Sequence, residues 1–477
     1  MKKFSALILS MLLPVLLLAQ PGQSSQSKQI ALAHVTVIDA TGVPARKDMT
    51  VIITADRITQ IGEASKIRIP QGAQLIDATG KFLIPCLWDM HVHFWNDEKL
   101  LSLYTANGVT GVRDMGGDLQ RVKRWREAIA LGTITGPRIV AAGEPLDKAP
   151  FELALIQLKP IVVKTAAEAV AAVDSLKRDG SDFIKVLSPN REAYFAAAAE
   201  AKKQKIDFAG HVPDTVTAAE ASDAGQKSME HLFGIAIACS SEEADLRSAR
   251  AEARQKQDWK TYLDLADKSL DTYSEEKARA LFSRFVKNGT YQVPSFALLK
   301  RMGYLYENDT TQDARLRYIP HSIKDQWENP NDAKKNLSAP LQAYFKKEYR
   351  KLCDIVRTMQ MSGVAIMAGT DTGDPYTYPG FTLHEELGLL VEAGLTPMQA
   401  LQAATLNPAK YLGMLDSIGT VEEGKTADLV LLDANPLDNI SNTQKIDAVI
   451  IGGKLISKTA LDKILAQAEA AGGKSVK

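Results

Sequence analysis

Between residues 30 and 82 the chain reads as apolar blocks of strand length, "HVTVIDATG", "MTVIITADRITQIG" and "AQLIDATGKFLIP", punctuated by Gly, Asp and Pro. The same style returns near the end in "TADLVLLDANP" and "IDAVIIGGKLI". The two chain ends are therefore expected to pair into one small β-sandwich around a central domain. From 83 to 414 the period changes, and apolar strands alternate with helical patterns, as in "FIKVL" followed by "REAYFAAAAEAKKQKI". Repeated strand and helix units over that length predict an α/β fold, a (β/α)8 TIM barrel. Residues 240 to 345 interrupt the rhythm with mixed charge around a candidate seventh strand in "TYQVPSFALL". A helical insertion there is expected to overhang the active face as a lid. The expected division is a leader over 1–19, a first β-sandwich part over 20–82, the barrel over 83–414, a second β-sandwich part over 415–458, and a tail over 459–477.

The leader, "MKKFSALILSMLLPVLLLA", has two lysines, an apolar run and a small residue at its end. That is the layout of a secretory signal. Cleavage is expected after Ala19, which gives a secreted or periplasmic protein starting at Gln20. The apolar run is short for a bilayer span, so no stable membrane span is expected after cleavage.

Composition narrows the partners. The chain has 477 residues, 45% hydrophobic and 24% charged, enough to bury a large core in more than one domain. Its 57 basic and 57 acidic side chains become 55 and 57 once Lys2 and Lys3 leave with the leader. That balance favours neither nucleic acid nor an acidic membrane, and a small-molecule substrate is expected. Cys86, Cys239 and Cys353 are too few and scattered for a disulfide framework or a thiolate zinc site. The oligomeric state is left open, a homo-oligomer included.

The chemistry is carried at the ends of the apolar strands. In "LWDMHVHF", His91 and His93 are two apart, so on a strand both point to one face, into the barrel near the carboxyl end of its first strand. Two converging imidazoles suit a metal but need further ligands. "IDFAGHVP" offers His211, "KSMEHLFG" offers His231, and "VAIMAGTDTG" offers Asp371, each where strand gives way to loop. Lys185 lies mid-strand in "SDFIKVL", where an unpaired ammonium is costly. Either a buried acid pairs with it, or two cations depress its pKa and the neutral amine captures carbon dioxide as a carbamate able to bridge metals.

Taken together, "LIPCLWDMHVHF", "NGVTGVRDMGG", "DFIKVL", "GHVP", "EHLFG", "GTDTG" and the tail from "LHEELGLL" to "LLDANPL" resemble the amidohydrolase superfamily, in its prolidase-like and imidazolonepropionase-like branch of metal-dependent hydrolases. The resemblance implies two divalent metal ions, with zinc favoured by the imidazole ligands. It places His91, His93 and Asp371 around one metal, His211 and His231 around the second, and a carboxylated Lys185 as the bridge. Cys86 departs from the glycine of many relatives and reads as a small buried filler. Two cations about 3.5 to 4 Å apart can acidify a water and polarise a carbonyl, and Asp371 is the expected base. The expected reaction is hydrolysis of an amide in a dipeptide or N-acyl amino acid with a free carboxylate.

Arg113, in "NGVTGVRDMGGD", is available either to bind that carboxylate or to pair with Asp114 or Asp118. His384 either packs or touches the site edge, and His34 and His321 read as surface residues. The alternatives are a mononuclear cyclic amidohydrolase or deaminase like imidazolonepropionase, which needs no carboxylated lysine, and a non-catalytic envelope binding protein.

Overall fold

The two chain ends meet where Phe82–Pro85 pairs antiparallel with Leu429–Leu432. The computed structural model describes residues 29–153, 156–307, 310–328 and 337–472; the expected leader lies outside them. Around that seam runs one eight-stranded sheet, in which Gln29–Val37, Arg46–Thr54, Arg57–Glu63 and Gln74–Asp77 from the front join Ile446–Ile451 and Lys454–Ser457 from the back. All of these strands belong to a single hydrogen-bonded sheet. Period-2 alternation explains how the sheet serves two cores. Leu83, Leu429 and Leu431 enter the sheet's own cluster, while their neighbours Ile84, Val430 and Leu432 enter the large central one. The expected tail holds a helix, Lys458–Gly472.

The central part is a TIM-barrel-like α/β fold. Its first three strands, Leu87–Val92, Val109–Asp114 and Arg138–Ala141, pair in parallel. The fourth to seventh, Phe183–Val186, Asp207–Gly210, Gln226–Glu230 and Tyr291–Val293, form a second parallel run. Asp182 N donates to Ala141 O at 2.9 Å, linking the third strand to the fourth. Segment 364–371 lies between the seventh strand and the first: Met367 N donates to Gln292 O and Met90 N to Ala368 O, both at 2.9 Å.

The mixed-charge region is helical on both sides of the seventh strand. Glu243–Gln255, Trp259–Asp271 and Glu275–Asn288 precede it, and Phe296–Tyr304, His321–Trp327 and Ala339–Met361 follow it. No helix among the described residues is long and apolar enough to cross a membrane.

Candidate metal centre

The six residues singled out in the sequence come together at one end of the barrel strands. His91 lies on the first strand, in the stretch between Asp89 and Val92 where the register against the second strand shifts, and His93 lies just beyond that strand. Lys185 is on the fourth strand, His211 follows the fifth, and His231 follows the sixth. His231 and Asp371 both hold left-handed backbone, with φ of 57° each, a conformation uncommon outside glycine that clusters at functional sites. The strands approach closely around them. A Cβ at Gly210 would stand 2.1 Å from the Val186 carbonyl oxygen, and one at Gly369 would stand 2.9 Å from His91 N. Only glycine permits those approaches.

Asp371 is the hub. Its Oδ1 lies 3.3 Å from His91 Nε2 and 3.5 Å from His93 Nε2, and its Oδ2 lies 3.8 Å from His231 Nε2. His91, His231 and Asp371 offer ligand atoms within 4.8 Å of one another, a candidate metal site. That trio cuts across the expected division into two ligand sets, because the aspartate stands between the histidines of both. The His211 ring centroid is 5.3 Å from that of His231. His93, Lys185, His211, His231 and Asp371 line one cavity of about 480 Å³.

Electrostatics suit the donors to a cation. Burial pushes His93 down to about 4, His231 down to about 3, and His211 well below the usual imidazole range. Neutral imidazole keeps a lone pair for a metal. Burial opposes ionisation of Asp371, but His91 and His231 outweigh it and hold the carboxyl well below the usual range. Burial lowers the Lys185 ammonium to about 8 against the pull of Glu230 and Asp371. Among the described residues, His91 Nε2, His231 Nδ1 and Lys185 Nζ are buried without a hydrogen-bond partner. Three such orphans in one protein interior are expensive. Nitrogen and carboxylate donors around them fit divalent metal.

Two groups aim the first histidine pair. His91 Nδ1 is 2.8 Å from Glu230 Oε2, and His93 Nδ1 donates to Gly116 O at 3.0 Å. Each contact turns Nε2 toward Asp371, as outer partners of metal-binding histidines do. Glu230 was not singled out in the sequence, although an acid at the end of a strand directly before His231 is itself a signal. Its partner corrects the reading of Arg113. That guanidinium is fully buried and donates to Glu230 Oε1 and Oε2 at 2.9 and 3.0 Å, to Met90 O at 2.7 Å, and to Ser228 Oγ and Tyr411 OH at 2.8 Å. It therefore has no free donor for a substrate and pairs with neither Asp114 nor Asp118. Burial opposes the Glu230 charge, but Arg113 outweighs it and holds the carboxyl well below the usual range.

Comparison with known proteins fits this geometry. The sequence profile of the amidohydrolase family matches residues 82–456. The chain belongs to the amidohydrolase family. As an amidohydrolase it is an enzyme, a hydrolase of carbon–nitrogen bonds, as the sequence motifs led us to expect. It is 24% identical to ochratoxinase of Aspergillus niger over 78% of this chain and 75% of that one. It is 33% identical to imidazolonepropionase of Shouchella clausii over 22% of this chain and 25% of that one. Among solved structures, a putative prolidase from Bifidobacterium longum superposes with a TM-score of 0.66 at 23% identity, covering 93% of this chain and 99% of that one. Bottromycin amidohydrolase superposes with a TM-score of 0.71 at 20% identity, covering 93% and 91%.

The remaining histidines of this amidohydrolase lie outside the centre. His384 is buried with Nδ1 2.9 Å from Thr443 Oγ1 and Nε2 3.0 Å from Asn107 O, so it packs. His34 is exposed beside Asp48, and His321 is exposed at the start of a helix. Cys86 is buried among apolar residues and is not among those with positive φ.

Proposed function

We propose that the chain is an exported, binuclear metal-dependent amidohydrolase that cleaves the amide of a dipeptide or N-acyl amino acid. The reading carries with it a complete (β/α)8 barrel and a two-layered folding of the terminal sheet. The observation that supports it most is Lys185 Nζ, buried without a hydrogen-bond partner among the described residues in a cavity it shares with His93, His211, His231 and Asp371. A lysine kept only for packing has no reason to be there, whereas its neutral amine can take up carbon dioxide, forming an N–C bond and releasing one proton.

His91, His93, Lys185, His211, His231 and Asp371 would hold two divalent cations, with zinc favoured by the imidazoles. When bound, such a pair supplies a Lewis acid for the scissile carbonyl and makes water a stronger acid. The chain's own part is positional and protolytic. Glu230 and the Gly116 carbonyl fix the first two imidazoles. Asp371 accepts a proton from water as the water oxygen bonds to the carbonyl carbon, and it passes that proton to the amide nitrogen as the C–N bond breaks. The products are a carboxylic acid and an amine, so atoms balance.

Metal analysis tests the reading. The purified protein is expected to contain close to two divalent metals per chain. Lys185→Ala is expected to lose metal and activity together, with partial rescue by added short carboxylic acids. Full metal and full activity in that variant would overturn the bridge, and turnover confined to neutral cyclic substrates would overturn the substrate class. Export is tested separately: mass measurement of the mature protein should give a chain beginning at Gln20, and an intact Met1 throughout would refute it.

A further inference from the structure

Two cavities meet at the metal centre. One, of about 480 Å³, is walled by apolar side chains that include Phe151, Leu153, Leu298 and Pro375. The other, of about 370 Å³, runs under the helices Glu243–Gln255 and Trp259–Asp271 and is lined by Arg250, Arg254, Asp214, Tyr262, Tyr344 and Glu348. They share Leu187, Ser188, His211, His231 and Phe233, so a molecule held at the histidines can extend into both.

Their charges differ. Among its described lining residues, the apolar arm has Asp147 and Asp374 and no cation other than Lys185, which the centre already uses. The second arm has two guanidiniums. Asp214 takes Arg254 Nη1 at 2.5 Å and the Tyr262 hydroxyl at 3.0 Å, while Arg250 Nη2 is 3.6 Å away, beyond hydrogen-bond length. Arg250 donates through Nη2 to the Tyr262 hydroxyl and lies with its Cζ 4.3 Å from the Tyr262 ring centroid, while its Nε is buried with no hydrogen-bond partner among the described residues. Glu348 accepts the Tyr344 hydroxyl at 2.7 Å, and burial raises its carboxyl above the usual range. One aspartate thus faces two arginines, and one of those arginines has an unused buried donor.

Resting on the proposed amidohydrolase reading, we infer that Arg250 binds the free carboxylate of the substrate's amine-side residue while the apolar arm takes the acyl side. A planar guanidinium pre-oriented by the Tyr262 ring and hydroxyl, with its Nε left without an acceptor, is suited to a carboxylate, which it can grip through two parallel N–H bonds. The role sought for Arg113 falls to Arg250, a residue of the helical excursion rather than of a barrel strand. The excursion is therefore part of the substrate site and not only a cover for it.

The test compares N-acetyl-leucine with its carboxamide, on the full-length mature protein. For the metal-loaded enzyme, kcat/KM should favour the acid by about tenfold to a hundredfold, the range of one charged hydrogen-bonded contact. Arg250→Gln should erase that preference through KM with little change in kcat, and Arg250→Lys should retain part of it. Calorimetry on metal-free protein supplies an independent readout: the acid should bind more tightly than the amide to wild type, and equally to Arg250→Gln. Equal binding of acid and amide by wild type, or an unchanged preference in Arg250→Gln, overturns the subsite. Should Arg250→Gln not fold, the wild-type comparison and Arg250→Lys decide the matter. Absence of amide turnover with the calorimetric preference intact would count against the proposed reaction and for the subsite.

Discussion

Asp371→Asn is expected to yield a folded, metal-containing protein whose turnover falls by about a hundredfold to ten-thousandfold, the range for loss of a positioned general base. Asparagine keeps the shape of the side chain and one carbonyl oxygen near His91 and His93. It also suits the backbone, because Asp371 sits at φ 57° and asparagine is among the residues that tolerate left-handed conformation best. The Asp371 N–H to His91 O bond of 2.8 Å is a main-chain contact and is untouched. What disappears is a carboxylate that the surrounding histidines hold ionised well below its usual range, and with it the acceptor for the water proton. Steady-state turnover measured beside metal content decides the point. Near-normal turnover at full metal would assign proton transfer to another group while leaving the ligand arrangement intact.

The candidate ligand residues were legible because each sets a polar or charged side chain within or at the end of an apolar strand. What the sequence could not convey was how they are aimed. His91 and His93 read as a regular two-residue alternation, whereas the first strand slips register between Asp89 and Val92. The left-handed turns at His231 and Asp371 carry only a weak residue-type signal, since neither is glycine, although histidine and aspartate are enriched in that conformation. Arg113 was legible as a cation near the site, available to a substrate carboxylate or to Asp114 or Asp118, and neither aspartate is its partner. Asp114 and Asp118 are near in sequence, but the carboxylate it meets is Glu230, 117 residues away. Arg250 was hidden for the opposite reason. It sits in a run of mixed charge that looks like a solvated helix face, and only the packing of Glu243–Gln255 and Ala339–Met361 over the cavity places it beside the centre. The pairing of both chain ends was visible from their strand patterns, whereas the order of strands in the sheet follows from contacts too distant for periodicity to report.

Arg113→Met is expected to destabilise the protein by about 3–5 kcal/mol, the cost of removing one partner from a buried ion pair. Methionine fills much of the space, so the loss comes chiefly from charge. Glu230 and Arg113 both have fully buried side chains, and among the described residues no lysine or other arginine bonds to Glu230, whose remaining partners are His91 and Ser228. Stripped of the guanidinium, the carboxylate either stays charged at high cost or takes up a proton. In the second case its hold on His91 Nδ1 weakens, and with it the aim of Nε2 toward Asp371. Metal affinity should therefore fall together with the urea midpoint. Glu230→Gln should also destabilise, since it leaves Arg113 charged and unpaired. The double variant should cost less than the two single changes added together, because the second substitution removes the stranded charge left by the first. Strict additivity would mean that the two side chains do not act as a pair, and an unchanged urea midpoint in Arg113→Met would mean that the buried pair is not what holds Glu230 in place beneath His91.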